Sequence, residues 1–315
     1  MAIKAPVVLI IFNRPELLKK TFEMVRQYQP KELFIIADGP RKDRPGEAEK
    51  CKETRNIVSN IDWECKVHQN YSSDNMTCSK RIHTGLSWVF KKVDRAIILE
   101  DDCLPNSDFF DYCATLLELY KNEEKVWSIT GDNFQSGRKR GSASYYFSKY
   151  FHGWGWATWA RCWNTAIDEN LSFWPSLKKS KEWTLMHPNK HERKYWGDIY
   201  DDIYNGKLDY WDYWFSASIT KNYGLTATPN VNLVTNEGFG PDGTHTLFAK
   251  KKSGLKNYSI GNLTHPEAVK KDKNADSYLY NYHYGGKSQF IYRKLLRFFK
   301  LEEYAKKFFK LYFKS

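Results

Sequence analysis

Short uninterrupted runs of apolar residues alternate with amphipathic segments through the first 130 positions of the chain. Because parallel strands covered on both faces show no polar alternation, these runs predict buried strands. They lie at 7–12, 33–37, 65–67, 95–99 and 126–130. Segments with apolar residues at helical spacing predict helices between them, at 15–28, 45–59, 75–92 and 108–121. This alternation predicts an α/β fold with a Rossmann-like, mostly parallel central sheet covered by helices.

The strand predicted at 95–99 ends in three consecutive carboxylates, Glu100, Asp101 and Asp102. Charges are excluded from doubly covered strands, so the triplet should lie just past the carboxyl end, where open α/β sheets bind ligands. Packed carboxylates repel one another unless a cation lies among them, and oxygen ligands suit Mg²⁺ or Mn²⁺. A solvated acidic turn that caps the next helix is the alternative interpretation.

Two more charged residues follow predicted strands, Arg14 after the first and Asp38 after the second. Right-handed crossovers bring these strand ends to one rim of the sheet. Arg14, Asp38 and the acidic triplet should therefore be neighbours across one cleft. Neither a G-x-G-x-x-G motif nor a P-loop lysine follows the first strand, which argues against dinucleotide and P-loop sites.

Two later segments combine aromatic side chains with glycine or with carboxylates. In the first, Trp154, Gly155 and Trp156 suit a cleft that stacks on sugar rings, or else a Trp-rich corner of the core. In the second, Asp209 and Asp212 flank Trp211 at the start of a predicted helix. A carboxylate beside apolar rings acquires a raised pKa that suits a general base, although a helix-capping Asp among core aromatics is equally consistent.

A glycine-rich polar segment at 236–245 ends in Thr244 and His245. Its three glycines predict a flap, and His245 would serve there as a metal or phosphate ligand, or else as an ordinary structural histidine.

The positive charge is concentrated at the end of the chain. The formal net charge is +12, and the nine Lys/Arg and two Glu of 287–315 supply about +7 of it. The remaining body suits a small polyanionic substrate better than a nucleic-acid groove. Aromatic residues at helical spacing in 290–315 predict a basic amphipathic helix that binds an anionic membrane surface or packs on the protein's own core.

Six cysteines without a CxxC spacing indicate free thiols in a reducing compartment. No signal-peptide pattern precedes the first strand, and no apolar run reaches the roughly 18 residues that cross a bilayer. These features predict a cytoplasmic protein, with the tail as a peripheral contact on the inner face of the plasma membrane.

Five short motifs fall in a consistent order within residues 5–250 and carry a family resemblance. They are Phe12-Asn13-Arg14, Ala37-Asp38-Gly39, Ile98-Leu99-Glu100-Asp101-Asp102 with Pro105 and Asp108-Phe109-Phe110, Gly153-Trp154-Gly155-Trp156, and Trp211-Asp212. Together they resemble glycosyltransferases of the GT-A fold, most nearly the family 13 inverting N-acetylglucosaminyltransferases (N-acetylglucosaminyltransferase I-like) and their bacterial relatives.

The resemblance implies roles for the residues at the sheet rim. Arg14 and Asp38 would hold the nucleotide of the donor, Asp38 through the uracil ring. Asp101 would bind the sugar-nucleotide, Asp102 would ligate Mn²⁺ (or Mg²⁺) at the diphosphate, and Glu100 would face the donor sugar.

The family resemblance also implies roles for residues in the later segments. Asp212 would match the catalytic base, although Tyr213 stands where eukaryotic members carry a second carboxylate, so Asp209 is the alternative. Thr244 would contact the donor and His245 the metal within a loop that closes over the donor. Trp154, Gly155, Trp156 and Trp211 would line the acceptor and donor cleft.

The implied function is an inverting, divalent-metal-dependent glycosyltransferase with a UDP-sugar donor such as UDP-GlcNAc. The implied acceptor is a glycan or lipid-linked glycan in bacterial surface polysaccharide synthesis. One alternative is a sugar nucleotidyltransferase, but that class normally has a basic, glycine-rich loop where this chain has Asn13-Arg14-Pro15-Glu16. The other is a non-catalytic carbohydrate- or membrane-binding protein on the same fold.

We expect one GT-A glycosyltransferase domain at 1–255. Its nucleotide-binding half would be 1–105 and its acceptor half 106–255. A C-terminal extension with the basic aromatic helix would follow at 256–315.

Overall fold

A computed structural model describes residues 4–238 and 255–287. Ten strands occur in this part of the chain: β1 (Val7–Ile11), β2 (Glu32–Ala37), β3 (Lys66–Tyr71), β4 (Arg95–Glu100), β5 (Cys103–Pro105), β6 (Val126–Thr130), β7 (Tyr145–Ser148), β8 (Trp156–Trp159), β9 (Leu225–Pro229) and β10 (Val234–Asn236). The α-helices are α1 (Pro15–Tyr28), α2 (Glu47–Ile57), α3 (Cys78–Val89), α4 (Ser107–Leu119), α5 (Ala160–Ala166), α6 (Trp174–Lys179), α7 (Lys181–Met186), α8 (Lys190–Tyr204), α9 (Trp211–Lys221) and α10 (Lys273–Tyr278). A π-helical turn, Leu279–His283, follows α10.

Eight strands form one central sheet in the order β3-β2-β1-β4-β8-β6-β9-β7. Six of them run in one direction, since β8 is antiparallel to both β4 and β6, and β7 is antiparallel to β9. Helices cover the sheet, and its apolar strands lie in one large core. This confirms the predicted α/β class with a mostly parallel sheet.

The central strands are buried because both faces are covered. Val7, Leu33 and Ile97 are each fully inaccessible to solvent. The same residues pair across the sheet, Val7 with Leu33 on one side and with Ile97 on the other. Their apolar, β-branched-rich runs therefore become the layer that holds the strand ends in register.

The segment at 153–159 differs from the sequence-based expectation. It contributes β8, which lies between β4 and β6 and joins the two parts of the sheet through antiparallel pairs. Gly155, just before this strand, has φ +64°, and a Cβ there would lie 2.7 Å from Val234 Cγ2. Close packing in the core therefore requires this glycine.

One helix boundary also shifts from its predicted place. The helix expected from 75 begins at Cys78, because residues 75–77 form a loop held by Asp38. The short strand β10 pairs with β5 in a separate two-stranded ladder.

Residues 255–287 pack along the β7 edge of the sheet. Lys271 forms an isolated bridge with Phe147, and Asp276 accepts a hydrogen bond from the Ser148 hydroxyl (2.7 Å). The domain division at 255/256 stays a prediction, and the basic helix expected at 290–315 lies outside the described residues. Within the described ranges, no helix combines the length and apolarity that crossing a membrane would require.

Candidate active site

Arg14 supplies the positive charge that lies against the acidic triplet. Its Nη1 lies 2.5 Å from Asp102 Oδ2 and 3.4 Å from Asp101 Oδ1. The chain brings these groups together because β1 and β4 are adjacent parallel strands that end at the same rim. The prediction that Arg14 and the triplet are neighbours is confirmed.

Asp101 is the most enclosed member of the triplet. It is buried, and its Oδ2 accepts a hydrogen bond from the backbone N–H of Phe12 (3.1 Å). Burial and the neighbouring Asp102 charge raise its pKa to about 7, against the opposing effect of Arg14. Asp101 therefore links the end of β1 to the triplet, and its hydrogen-bond partners belong to the protein itself.

Glu100 links the triplet to the opposite side of the cleft. Burial raises its pKa well above the ordinary value, and the charges of Asp102, Asp101 and Asp212 add to that rise while Arg14 opposes it. The carboxylates at the end of β4 and at the start of α9 thus lie close enough to interact electrostatically.

Asp38 organises the loop that precedes α3. Its Oδ1 accepts hydrogen bonds from the backbone N–H groups of Gly39 and Met76, both at 2.9 Å, and its Oδ2 accepts one from the Asn75 side chain (3.0 Å). Burial raises its pKa, and these N–H donors oppose the rise. Both oxygens accept hydrogen bonds from the protein itself, so Asp38 fixes the loop that precedes α3.

The loop fixed by Asp38 continues to Asp209. Thr77 has φ +70°, and its hydroxyl donates to Asp209 Oδ2 (3.2 Å). Asp209 itself is exposed. This places Asp209 as a surface anchor of the loop.

Asp212 occupies a different environment in the first turn of α9. Burial raises its pKa to about 6, while the backbone N–H groups of Asp212 and Tyr213 at the helix start oppose the rise. Its side chain lines a cavity of about 300 Å³. The geometry therefore separates two residues that the sequence left as alternatives, and it favours Asp212 as a base.

The cavity collects side chains from five parts of the chain. They come from the loop after β6, the segment before β8, helices α8 and α9, and the π-helical turn. Its lining is Asp132, Phe134, Phe151, His152, Gly153, Trp154, Tyr195, Trp196, Asp212, Tyr213, Ser216, His283 and Tyr284. The volume is at the small end of ligand pockets.

The aromatic residues expected in the cleft divide between cavity and core. Trp154 lines the cavity, and its expected contact with a substrate stays a prediction. Trp156 is buried at 1% exposure and stacks on the largely buried Trp211, with ring centroids 5.4 Å apart. The expectation that Trp156, Trp211 and Gly155 face a ligand is corrected, because all three are used in packing.

The glycine-rich segment starts directly at the acidic triplet. The backbone N–H of Glu237 donates to the Asp102 carbonyl (2.8 Å), and a Cβ on Gly238 would lie 2.0 Å from Asp102 Oδ2. Thr244 and His245 lie outside the described residues, so their expected roles stay predictions.

Asp102 offers one carboxylate to a divalent metal. In residues 4–238 and 255–287, no three His, Cys, Asp or Glu side chains surround a common metal position. Mg²⁺ and Mn²⁺ at nucleotide sites commonly take one or two carboxylates, with phosphates and water completing the shell. The missing Cβ of Gly238 leaves room at Oδ2, so Asp102 suits this arrangement.

Sequence reasoning missed the cavity residues Asp132, His152 and Tyr284. Asp132 had a usable signal, because Gly131-Asp132-Asn133 follows a buried strand in the same way that Asp38-Gly39 does. His152 and Tyr284 had none, since their proximity depends on how residues 255–287 return to the sheet.

Comparison with known proteins finds both structures and a sequence that resemble this chain. A 4-diphosphocytidyl-2C-methyl-D-erythritol synthase structure from Anaerococcus prevotii matches with a TM-score of 0.37 and 10% identity, over 71% of this chain and 88% of that one. An Arabidopsis thaliana alpha-1,3-mannosyl-glycoprotein 2-beta-N-acetylglucosaminyltransferase is 25% identical over 205 residues, which is 61% of this chain and 44% of that protein. The chain thus spans less than half of its sequence relative.

The sequence model of the GNT-I family matches residues 1–196. This range contains Arg14, Asp38, the acidic triplet and the strands that position them. Because the match extends over more than half of the 315 residues, the chain belongs to the GNT-I family.

Proposed function

We propose that the protein is an inverting, divalent-metal-dependent glycosyltransferase that moves a sugar from a UDP-sugar onto a glycan or lipid-linked acceptor. GlcNAc is the sugar we favour, because the Arabidopsis relative is named as an N-acetylglucosaminyltransferase. An acceptor of the bacterial surface polysaccharide type, reached with help from the basic segment 290–315, is part of the same proposal.

One observation carries the proposal. The Asp212 charge is among the causes that raise the pKa of Glu100, so the acidic triplet at the end of β4 and Asp212 at the start of α9 lie within electrostatic range of one another. A donor-binding group and a candidate base therefore share one cleft, as single displacement at a sugar carbon requires.

On the donor side, Arg14 and Asp102 form an ion pair that donor binding would rearrange. Arg14 can turn toward a diphosphate, because a guanidinium binds phosphate oxygens in the same paired geometry as carboxylates. Asp102 would hold the metal, which when bound compensates the negative charge on the departing nucleotide.

On the acceptor side, Asp212 performs the proton transfer. An acceptor hydroxyl in the cavity would give its proton to the Asp212 carboxylate as its oxygen attacks the anomeric carbon. The nucleotide leaves from the opposite face, so the configuration at that carbon inverts. Asp101 and Asp38 hold the two loops that shape the donor end.

Donor binding tests the proposal directly. Thermal shift with UDP-, GDP- and CMP-sugars, each with Mn²⁺ and with EDTA, should show stabilisation by a UDP-sugar that disappears with EDTA. Asp102→Ala should remove this shift and transfer while leaving the unliganded melting temperature close to wild type. Metal-independent binding, or unaltered transfer by Asp102→Ala, would overturn it.

The products separate the proposal from its alternatives. Transfer releases UDP, whereas a nucleotidyltransferase acting on a sugar phosphate and UTP releases pyrophosphate. A binding protein would retain glycan and release neither. Chromatography of the nucleotide products with both substrate sets distinguishes the three.

A further inference from the structure

The cavity beside Asp212 contains a second carboxyl group that the proposed reaction does not use. Asp132 is 1% exposed, and its Oδ2 has no hydrogen-bond partner in the part of the chain that the structure describes. A buried hydrogen-bond acceptor without a partner costs free energy, so Asp132 Oδ2 is suited to accept a hydrogen bond from a bound molecule.

The contacts of the Thr130 hydroxyl with Asp132 and His152 favour a protonated Asp132. Thr130 Oγ1 lies 2.8 Å from Asp132 Oδ1 and 3.0 Å from the carbonyl oxygen of His152. The hydroxyl has one proton, and a carbonyl or an ionised carboxylate can only accept. Both short contacts are satisfied when Asp132 Oδ1 carries a proton and donates to Thr130, which in turn donates to His152.

Burial acts in the same direction as this geometry. It raises the pKa of Asp132 to about 8, although the backbone N–H of Trp154 opposes the rise. In the neutral acid, Oδ2 is the carbonyl oxygen and can only accept a hydrogen bond. The ligand must therefore present a donor to it.

A second polar atom in the cavity lining is also unpaired among the described residues. Trp196 is 3% exposed, and its Nε1–H lacks a hydrogen-bond acceptor. One unpaired acceptor and one unpaired donor suit a molecule whose groups both donate and accept, which is the chemistry of hydroxyls.

The rest of the lining indicates the character of that molecule. Phe134 and Trp154 provide apolar rings whose centroids are 5.1 Å apart, and such rings pack on the C–H faces of sugars. No lysine or arginine is among the described lining residues, while Asp132 and Asp212 are. A phosphate or uronate is therefore disfavoured, and a neutral ring fits.

We propose that this cavity binds the terminal neutral pyranose of the acceptor glycan. In it, Asp132 acts as an uncharged acid whose Oδ2 accepts a hydrogen bond from a ring hydroxyl. Asp132 is thus a positioning and specificity-determining residue beside the base Asp212. The identification of this sugar as the acceptor rests on the proposed transfer reaction, whereas the sugar site itself does not.

Binding of methyl glycosides tests the site without turnover. Saturation-transfer NMR titrations would use neutral methyl pyranosides of mannose, galactose, glucose and GlcNAc, with methyl glucuronoside as the anionic comparison. At least one neutral glycoside should bind saturably and the glucuronoside should not. If no neutral glycoside binds, or the glucuronoside binds best, the proposal is overturned.

Two substitutions at one position distinguish an uncharged acid from a carboxylate. Asp132→Asn keeps a carbonyl oxygen for the ligand and an N–H donor for Thr130, so affinity should stay within about threefold. Asp132→Leu removes both and should weaken binding at least tenfold, the effect of one lost hydrogen bond. Equal losses in both variants, or binding unchanged in Asp132→Leu, would refute the assignment.

Asp276→Asn is the matched control. Asp276 is likewise buried with an unpaired Oδ2, but it does not line the cavity, so this variant should bind like wild type. If it loses affinity as Asp132→Leu does, the effect is general destabilisation and the assignment fails.

Wild-type titration of monodeoxy analogues provides a measurement that needs no folded variant. Loss of one particular hydroxyl should cost at least tenfold, because Oδ2 would again be unpaired, and equal affinity for every analogue would contradict the proposal. UDP-sugar binding measured on the same wild-type sample separates this test from that of the proposed function. A sample that binds donor but no glycoside refutes only the present inference.

Discussion

Nη1 of Arg14 lies 2.5 Å from Oδ2 of Asp102, so the cation among the three clustered carboxylates is a side chain from the end of a neighbouring strand. The sequence alone suggested a metal ion in that place. Both interpretations follow from the same repulsion between carboxylates. The Arg14 guanidinium offsets this repulsion when no donor is bound. In the proposed donor complex, Arg14 and the metal would share the Asp102 carboxylate.

Replacing Arg14 by Met should destabilise the protein by about 3 kcal/mol, because the Asp101–Asp102 pair would stay largely buried without a counter-charge. Urea unfolding at pH 7 measures the change. Arg26→Met removes an exposed pair with Asp62 and should cost less than about 1 kcal/mol. Equal losses in the two variants would show that Arg14 has no special role in offsetting the triplet.

Asp212→Asn should lower the transfer rate about 10²- to 10⁴-fold, the usual contribution of a general base, with little change in donor binding. Asp209→Asn should retain most of the activity, because Asp209 is an exposed partner of the Thr77 hydroxyl. Steady-state rates with saturating donor make the comparison. The reverse ranking would move the base to Asp209.

The pH dependence of transfer should report the ionisation of Asp212. Burial raises its pKa to about 6, and the base acts only as the carboxylate. Activity should therefore be low below pH 5, rise through about pH 6 and level off above pH 7. The profile of kcat/KM at constant ionic strength measures this, and a rate that is flat from pH 5 to 7 would contradict the role.

Gly238→Ala should weaken metal-dependent donor binding at least tenfold, since its Cβ would overlap Asp102 Oδ2 at 2.0 Å. Gly197→Ala is the matched control, because its Cβ would meet only Trp174 at 3.9 Å within helix α8. Calorimetric titration of the UDP-sugar with Mn²⁺ compares the two. Unchanged affinity in Gly238→Ala would show that the space beside Asp102 is not used.

Asp132 should make stability fall with rising pH. Its folded-state pKa of about 8 exceeds the ordinary 3.8, so the folded protein holds a proton that the unfolded chain has lost, and stability decreases as pH rises toward 8. The slope from one such group is at most about 1.4 kcal/mol per pH unit. Denaturant unfolding between pH 6.5 and 7.5 should show this slope in wild type and a smaller one in Asp132→Asn.

Asp276 is again the control for this slope, because burial raises its pKa to about 6. Asp276→Asn should change the slope below pH 6 and leave the window from 6.5 to 7.5 nearly as in wild type. Parallel curves for wild type and Asp132→Asn in that window would mean that Asp132 is ionised in the folded protein.

The sheet rim could be predicted because its signals are local in sequence. Apolar runs that end in Arg14 or in Glu100-Asp101-Asp102 fix both the strands and the rim on which their ends lie. Trp156 could not be placed in the same way. Its strand enters the sheet between β4 and β6, and the aromatic pattern that suggests a sugar platform also suits such a buried position.

The cavity beside Asp212 could not be predicted from the sequence, for a different reason. Asp132 and Tyr284 are separated by more than 150 positions, and the contact depends on how 255–287 packs along the β7 edge. Asp38 shows a third limit, since its position was predicted correctly while its partners, Gly39, Asn75 and Met76, depend on a loop conformation.

The central position of β8 limits how the cleft can move. Backbone hydrogen bonds from β8 to both β4 and β6 make the two halves of the cleft parts of one continuous sheet. A hinge between the two halves would have to break that ladder. Adjustment to substrates is therefore expected as rotation of side chains such as Arg14 and as rearrangement of the connections at the rim, while the sheet holds the ends of β4 and β6 at a nearly constant separation.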